Sequence, residues 1–389
     1  MEGIPMNNRN LRIVCFVLLT LSLVALGGCN KTSSGGDKGP IRIGQATALT
    51  TEYTVVGQYL ANGVKMAVDE INAAGGINGR QIELMKEDSA NTNPAAVNAV
   101  NKLIDSDHVI AIMGPDLSTQ NFAVAPLVNK AKIPFFMEGT NARLLENNPW
   151  FFRLRPDDGL AAKSAVKFAI LNLKKTKIGV IHDSDEFGTG GRDNIIEGVK
   201  LYGGTVVHIE SYNSSDKDLS GQLTNLKKKG AEVIIDWGHP SQSATLQRQN
   251  KQLGINLPII GSPGYSMPAT LQLAGDSTDG SYAVVDGIPT QNPDPKAKEW
   301  VKKYHDLFKA DPDFHASADY DGVYMLKMAI EKAGSTDPEA IRKAMLTIRD
   351  YNGIANKFTF KDGNGPHQVA IVQLKKTGAA EVIQTITAE

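Results

Sequence analysis

Cysteine is nearly absent from this sequence. The 389 residues contain two cysteines, Cys15 and Cys29, and both lie close to the amino terminus. No disulfide bond can therefore form within the chain that follows Cys29, although an extracellular location would permit one. With 41% hydrophobic and 21% charged residues, the chain has an ordinary globular composition and the length of two or three domains.

The motifs of the common enzymes and metal sites are also missing. There is no Walker loop, HExxH or CxxC pair, and the seven histidines show no ligand spacing, so we expect no zinc site and no cofactor. Ser118 does not lie in the GxSxG turn of hydrolases. The glycines of FGTGG lack the third glycine of a dinucleotide turn, and the acidic partner of such a turn would be Glu210 inside a strand. We expect a protein that is not an enzyme.

An excess of positive charge is absent as well. The formal net charge is −1 at pH 7. Glu2, Arg9 and Arg12 together contribute +1, so the chain without its first segment carries −2. A nucleic-acid partner is therefore not expected, because such proteins present a basic face.

The amino terminus has the pattern of an export signal. Arg9 and Arg12 precede an apolar run from Ile13 to Leu26, which is short for a membrane span but suits a signal-peptide core. The run ends in LGGC, which resembles the bacterial lipobox, and this resemblance implies lipidation of Cys29. The alternative is an export signal without lipidation.

The first 39 residues then divide into two parts. We expect residues 1–28 to be the signal peptide and residues 29–39 to be a lipidated tether, because KTSSGGDKGP is rich in small polar residues. The protein is predicted to be exported and held as a lipoprotein on the outer face of the cell membrane or in the periplasm.

From Ile41 onward, strand and helix patterns alternate. Such units with apolar strands predict parallel sheets covered on both faces, and two series of them predict two doubly wound α/β lobes. The predicted strands are IRIGQATAL, QIELMKE, VIAIM and IPFFM in the first series, and KIGVI, TVVHIES, EVIIDW and LPIIG in the second. Predicted helices include Gly57–Ala74, Pro94–Ser106, Thr189–Leu201, Leu219–Lys229 and Ser241–Leu253.

One loop carries the first indication of a binding site. MGPDLSTQN, residues 113–121, follows an apolar strand and contains Ser118 and Thr119 but no basic side chain. A helix that starts at the carboxyl end of a parallel strand can hold a carboxylate with its free N–H groups. The next strand ends in Gly139 and Thr140 at the same edge. The alternative is that Ser118 only caps its helix.

The sequence resembles the branched-chain amino acid binding proteins that supply ABC transporters. The resemblance covers nearly the whole chain after the leader and implies two Rossmann-like lobes of the type I periplasmic-binding fold that close around a small ligand. Its motifs are GVKMAVDEINAAGGINGRQIEL, the GPxxS-like turn before VAPLVNKAKIPFF, EGTN, DSDEFGTGG and ADYDGVYMLKMAIEKAG.

Three joints suggest where the chain passes between the lobes. We assign residues 40–156 and 288–352 to the first lobe, and residues 157–287 and 353–389 to the second. The joints are Arg155–Gly159, Asp286–Pro295 and Asp350–Phe358.

The resemblance also implies roles for individual residues. Ser118 is similar to the family's carboxylate-binding serine and Thr140 to its second hydroxyl and N–H donor, while the carbonyl of Glu138 corresponds to the acceptor for the ligand ammonium. Phe187, Trp237 and His239 lie in segments that supply aromatic walls, and Val56 occupies a position that can be aromatic. Core packing is the alternative for Phe187 and Trp237.

One departure from the family pattern concerns the ligand ammonium. The family acid that pairs with it aligns near Pro263, which has no charge. An unpaired buried ammonium is unfavourable, so another acid or another ligand is needed. The candidate acids are Glu138, Asp185 and Asp236, with solvated loop positions as the alternative.

We therefore expect a monomeric receptor that captures an amino acid, branched-chain or otherwise aliphatic, and delivers it to an ABC permease. One alternative is a receptor for another small carboxylate or amide. Another is a sensor that passes a ligand signal to a membrane protein.

Overall fold

The computed structural model describes residues 39–51, 53–375 and 380–388. The predicted signal peptide, both cysteines and most of the predicted tether lie outside these residues. None of the described helices is long and apolar enough to cross a membrane.

Fifteen described strands form two separate sheets, as the alternating pattern predicts. The strands are β1 (Ile41–Thr47), β2 (Ile82–Asp88), β3 (Ile112–Met113), β4 (Phe135–Met137), β5 (Phe151–Arg153), β6 (Lys177–Asp183), β7 (Thr205–Tyr212), β8 (Val233–Trp237), β9 (Ile259–Gly261), β10 (Tyr282–Val285), β11 (Tyr351–Asn352), β12 (Lys357–Lys361), β13 (Asn364–Pro366), β14 (Gln368–Leu374) and β15 (Ala380–Thr387).

The first sheet has the order β11-β12-β13-β5-β4-β3-β1-β2, and the second has the order β15-β14-β10-β9-β8-β6-β7. In both, the strands that come from strand-helix units pair in parallel, for example β1 with β2 and β6 with β8. Parallel strands end at one edge, so the loops after β3 and β4 come together, as do those after β6 and β8.

The described helices cover both faces of the sheets. They are α1 (Thr54–Ala73), α2 (Asn93–Asp105), α3 (Ser118–Ala131), α4 (Asp158–Lys167), α5 (Glu186–Tyr202), α6 (Ser220–Lys228), α7 (Pro240–Gln252), α8 (Pro268–Ala274), α9 (Pro295–Phe308), α10 (Phe314–Ala333) and α11 (Pro338–Met345).

Each lobe has its own apolar core on the two faces of its sheet. In the first lobe, Val64 of α1 and Leu326 of α10 pack with β1 and β5 on one face, while Val100 and Val124 pack on the other. The helices α1 and α10 approach closely because Gly63 has no side chain: a Cβ there would lie 2.1 Å from the Ala316 carbonyl oxygen. The core therefore sits beneath the strand ends and holds the loops above it in place.

The chain passes between the sheets three times. It leaves the first sheet after β5, returns to the first lobe between β10 and α9, whose Trp300 packs in the core of that lobe, and leaves again between β13 and β14. The last crossing differs from the prediction, which placed residues 353–389 in the second lobe. The strands β12 and β13 instead extend the first sheet, where Asn364 pairs with Arg153 and the Phe360 ring packs edge-on against Phe152.

Candidate ligand-binding cleft

A cavity lies between the two lobes at the carboxyl ends of the parallel strands. Its empty space is about 450 Å³, including the part that is open to solvent, which is the size of a small-molecule site. The first lobe contributes Tyr53, Val56, Asp116, Leu117, Ser118, Glu138, Gly139, Thr140, Arg155, Phe314 and His315. The second contributes Phe187, Gly238, His239, Pro240, Gly264 and Met267.

The loop after β3 brings Ser118 to this cavity. Gly114 has a φ of +96°, and a Cβ there would lie 2.1 Å from the Ala46 carbonyl oxygen, so only glycine fits this turn. The N-cap of α3 is Leu117, whose side chain has no polar atom, and Ser118 is the first helical residue. The Ser118 Oγ accepts a hydrogen bond from the Asn141 N–H at 3.2 Å. Ser118 therefore does not cap its own helix, and its hydroxyl proton is available to a ligand.

The loop after β4 is held by hydrogen bonds that its carbonyl groups accept from two arginine side chains and one backbone N–H. The carbonyls of the four residues 138–141 all accept a hydrogen bond. The donors are Arg155 Nη1 to Glu138 at 3.4 Å, Arg153 Nη1 to Gly139 at 3.2 Å, the Asp158 N–H to Thr140 at 2.8 Å and Arg153 Nη2 to Asn141 at 3.0 Å. The loop is therefore fixed from behind, with Gly139 and Thr140 in the lining of the cavity.

A buried charge cluster forms one wall of the cavity. Arg155 Nε donates to Asp286 Oδ2 at 2.5 Å and lies 3.8 Å from Glu138 Oε2. The Glu138 side chain is fully buried, and burial together with nearby Asp319 raises the pKa of Glu138 well above its usual value. The ion pair in this wall is thus Arg155 with Asp286, while the surroundings of Glu138 disfavour its charged form.

The opposite wall contains a hydrogen-bonded chain that joins the lobes. Asp185 is the N-cap of α5, accepts from the Gly188 N–H at 2.8 Å and lies 3.0 Å from His239 Nε2. Burial lowers the pKa of His239, but the bond to Asp185 outweighs it, so the pKa is raised. The Tyr53 hydroxyl of the first lobe bonds His239 Nδ1 at 3.1 Å. Tyr53 and His239 therefore contact each other across the cleft.

The glycines of FGTGG have a packing role in this structure. A Cβ on Gly190 would lie 2.4 Å from the Asn141 side-chain nitrogen, and a Cβ on Gly191 would lie 1.9 Å from the Trp237 ring. Asn141 Nδ2 donates to the Glu186 carbonyl at 2.6 Å. These glycines therefore let the start of α5 approach the first lobe and the strand β8.

Seven of the predicted site residues share the cavity lining. They are Val56, Ser118, Glu138, Gly139, Thr140, Phe187 and His239. The structure places Trp237 and Asp236 behind the lining, where both are fully buried. Asp236 accepts from the hydroxyls of Tyr212, Ser243 and Tyr265 at 3.1, 3.0 and 2.7 Å, and burial raises its pKa to about 6. Asp236 therefore lies behind the cavity lining and holds three side chains of the second lobe together.

The sequence reasoning missed several lining residues, including Tyr53, Asp116, Arg155, Met267, Phe314 and His315. Arg155 lies two residues after the end of β5, and this position is a usable signal, although the same residue begins a predicted joint. Asp116 lies in the same loop as Ser118, and its carboxylate accepts from the Thr47 hydroxyl at 2.9 Å. Among the described residues, no group of three or more His, Cys, Asp or Glu is arranged to hold a metal ion.

Two α/β lobes with a small cleft at their strand ends form an architecture that is typical of solute receptors. The chain belongs to the periplasmic binding protein family, whose model matches residues 40–379. The resemblance drawn from the sequence and the two-lobe fold are thereby confirmed.

Two relatives with similar sequences are amino acid binding proteins or their homologues. The chain is 28% identical over 347 residues to the leucine-, isoleucine-, valine-, threonine- and alanine-binding protein of Pseudomonas aeruginosa, covering 88% of each chain. It is 29% identical over 311 residues to the Leu/Ile/Val-binding protein homolog 3 of Brucella melitensis, covering 78% of this chain and 83% of that protein.

Solved structures show the same fold. The branched-chain amino acid transporter substrate-binding protein LivJ of Streptococcus pneumoniae, crystallised with isoleucine, is 25% identical with a TM-score of 0.81 and covers 88% of this chain and 99% of its own. The leucine-binding protein LivK of Thermotoga maritima is 24% identical with a TM-score of 0.83, covering 89% of this chain and 99% of its own.

Proposed function

We propose that this chain is the extracytoplasmic solute-binding component of an ABC transporter. It captures an amino acid or a related small carboxylate between its lobes and delivers it to the permease without chemical change. The related proteins support this proposal. One is named as a binding protein for leucine, isoleucine, valine, threonine and alanine, and another as the substrate-binding protein of a branched-chain amino acid transporter.

The observation that carries the proposal is the position of the Ser118 hydroxyl. It lies in the cavity lining at the first turn of α3, where the N–H groups have no partner inside the helix. The Thr140 hydroxyl and N–H lie at the end of the neighbouring strand. Hydroxyl and N–H donors beside the positive end of a helix dipole suit a carboxylate.

The remainder of the lining suits a short aliphatic group. Burial of such a group against apolar walls contributes about 0.8 kcal/mol per CH₂. The apolar lining residues are Val56, Leu117, Phe187, Met267 and Phe314. A branched-chain or other aliphatic amino acid, or a carboxylate with the same carbon skeleton, therefore suits the walls.

The membrane anchor rests on the sequence. The apolar run from Ile13 to Leu26 followed by Cys29 supports a lipoprotein that is exported and held at the outer face of the membrane. Anchoring keeps the receptor near its permease.

A ligand screen tests this function. Thermal melts of the purified chain with amino acids and small carboxylates should show stabilisation, because a ligand at about 100 times its Kd adds about 2.7 kcal/mol to the free energy of unfolding. Mass spectrometry of the recovered ligand should show it unchanged. Failure of every carboxylate to stabilise the protein, or turnover of the bound compound, would contradict the proposal.

A further inference from the structure

Arg155 is a cation in the cavity lining whose donors are only partly used. An arginine guanidinium has five N–H donors and no acceptor. Nε donates to Asp286 at 2.5 Å, and Nη1 lies 3.4 Å from both the Glu138 carbonyl oxygen and His315 Nε2. No hydrogen bond to another described residue involves Nη2. Two N–H donors of Arg155 therefore remain for a ligand.

The hydrogen bonds of His315 agree with the role of Arg155 as the donor. Because arginine only donates, His315 Nε2 accepts, and the Nδ1–H donates to Asp313 at 2.9 Å. Burial lowers the pKa of His315, which favours this neutral form. His315 thus adds no positive charge and helps to hold the guanidinium in place.

The guanidinium is also fixed from one face. Its Cζ lies 4.6 Å from the centre of the Phe314 ring, and the side chain is 10% exposed. Arg155 lines the cavity, and Nη2 is its nitrogen without a hydrogen bond to another described residue. A fixed and partly desolvated donor pair is suited to a charged or strongly polar oxygen acceptor.

The same wall is unsuitable for an ammonium group. The Glu138 carbonyl, which the sequence assigned to the ligand ammonium, already accepts from Arg155. Asp286 is paired with Arg155, and the burial that raises the pKa of Glu138 disfavours the charged form of that carboxyl. An ammonium beside Glu138 would therefore lie close to a guanidinium of the same charge, which is unfavourable.

Asp116 is the other acid of the lining. Its oxygens accept from the Thr47 hydroxyl at 2.9 Å and the Ala48 N–H at 3.5 Å, and burial raises its pKa to about 6. Its carboxylate is thus directed to the loop after β1, where it bonds the first lobe itself.

We propose that Arg155 binds an oxygen acceptor on the carbon next to the ligand carboxylate, so that the preferred ligands are small 2-oxo or 2-hydroxy acids instead of 2-amino acids. The inference rests on the proposed function, because it needs the ligand carboxylate to be held at Ser118 and Thr140. Arg155 and that carboxylate site are adjacent, since the Arg155 donor bonds Glu138 in the same loop as Thr140.

Matched ligands that differ in one group test the proposal. Calorimetry compares the amino, hydroxy and oxo acids of three carbon skeletons: alanine, lactate and pyruvate; valine, 2-hydroxy-3-methylbutanoate and 3-methyl-2-oxobutanoate; and leucine, 2-hydroxy-4-methylpentanoate and 4-methyl-2-oxopentanoate. On the skeleton that binds best, the oxo or hydroxy acid should bind at least about tenfold tighter than the amino acid, which is the effect of one charge-assisted hydrogen bond.

The outcomes separate this inference from the proposed function. If the amino acid binds tightest on the best skeleton, the role of Arg155 is overturned while the proposed receptor function stands. If none of the nine compounds binds, the role of Arg155 is overturned, and the wider carboxylate screen decides the proposed function.

Variants of Arg155 and Asp286 test whether Arg155 causes the preference for the oxo or hydroxy acid. Arg155→Met combined with Asp286→Asn removes both charges, so no buried carboxylate is left unpaired. The double variant should lose most of the preference for the oxo or hydroxy acid. Arg155→Lys keeps the charge but removes the second N–H group, and it should lose a large part of the same preference. A double variant that keeps the preference of the parent overturns the proposal.

A second arginine provides the matched control. Arg342 lies 5.3 Å from the Trp150 ring and pairs with Glu339, as Arg155 does with Phe314 and Asp286, but outside the cavity lining. Arg342→Met should leave the ligand preference unchanged. Melts without ligand establish which variants fold. If the double variant does not fold, the ligand preference of Arg155→Lys decides the result.

Discussion

At the scale of single residues, Ser118 connects the two loops that form the carboxylate site. Its oxygen accepts from the Asn141 N–H, and its proton is free to donate to a ligand. The hydroxyl therefore both orders the loop after β4 and contacts the ligand under the proposed function.

Ser118→Ala should weaken the affinity for a carboxylate ligand about ten- to hundredfold, because one charge-assisted hydrogen bond is lost. It should also lower the free energy of unfolding by about 1–3 kcal/mol, because the Asn141 N–H is left without its acceptor in a buried position. Calorimetry and ligand-free melts measure the two effects. The control is Ser220→Ala at the first residue of α6, outside the cavity lining. An unchanged affinity of Ser118→Ala would show that the serine serves the loop alone.

Asp321 gives a pH dependence that can be tested separately. Its buried carboxyl accepts from the Ile354 N–H at 2.8 Å and the Tyr351 hydroxyl at 3.3 Å, and burial raises its pKa to about 7. The folded form therefore holds the proton more tightly than the unfolded form, whose pKa is the ordinary 3.8. Ionisation of Asp321 thus destabilises the fold, and stability falls as the pH rises from 4 to 7.

Asp321→Asn should flatten this fall, which amounts to as much as about 4 kcal/mol for a shift of this size. Chemical denaturation at several pH values between 5 and 8 measures the slope. Asp362→Asn on an exposed turn is the control and should keep the slope of the parent. An equal slope in Asp321→Asn and the parent would contradict the raised pKa.

At the scale of elements, the start of α5 controls how closely the lobes meet. Thr119 of α3 accepts from the Glu186 N–H at 3.3 Å, and Asn141 donates to the Glu186 carbonyl at 2.6 Å. The helix can make both contacts because Gly190 leaves room for the Asn141 side chain.

Gly190→Ala should weaken ligand affinity about five- to hundredfold, because a methyl group forced into this contact costs about 1–3 kcal/mol in the closed form. The ligand-free protein should keep its stability or gain slightly, since alanine favours the helix. The control is Gly221→Ala in α6, where no described atom beyond the chain neighbours and the backbone of the same helix lies within 4 Å of the added Cβ. If Gly190→Ala binds as tightly as the parent, the contact at Asn141 does not limit closure.

At the scale of the whole molecule, three crossings between the sheets permit the lobes to move as bodies about a hinge. Tyr53 and His239, like Asn141 and Glu186, then separate when the cleft opens. A ligand that contacts both lobes favours the form in which these bonds are made.

Small-angle scattering should therefore show a smaller radius of gyration at saturating ligand than without ligand. Gly190→Ala at saturation should show a smaller change. An identical scattering profile with and without ligand would contradict closure, although binding itself would remain possible.

The proposed lipid anchor predicts a second property of the whole molecule. Cys29→Ala should release the protein from the membrane or leave it incompletely processed, because the expected acyl site is lost. Fractionation and the mass of the product provide the measurement, with Cys15→Ser in the expected signal peptide as the control. A Cys29→Ala protein that stays with the membrane and has the parent's mass would show that no lipid is attached there.

The alternation of strands and helices, and the polar loops after β3 and β4, were predictable from the sequence. Periodicity is a local property, and apolar strands followed by helical patterns imply parallel pairing. Parallel pairing in turn places successive strand ends at one edge, so Ser118 and Thr140 could be assigned to the same site before any contact was known.

The tertiary structure alone decided which partners meet across that edge. Arg155 contacts Asp286 and His315 over separations of 131 and 160 residues, and neither contact leaves a periodic signal in the chain. The strand β12 has an alternating pattern and β13, Asn364–Pro366, has none, yet both join the first sheet. Asp236 lies at a strand end as predicted, yet three hydroxyls surround it beneath the cavity. Sequence pattern determines where a strand ends, whereas the order of strands and the crossovers determine which side chains face the same space.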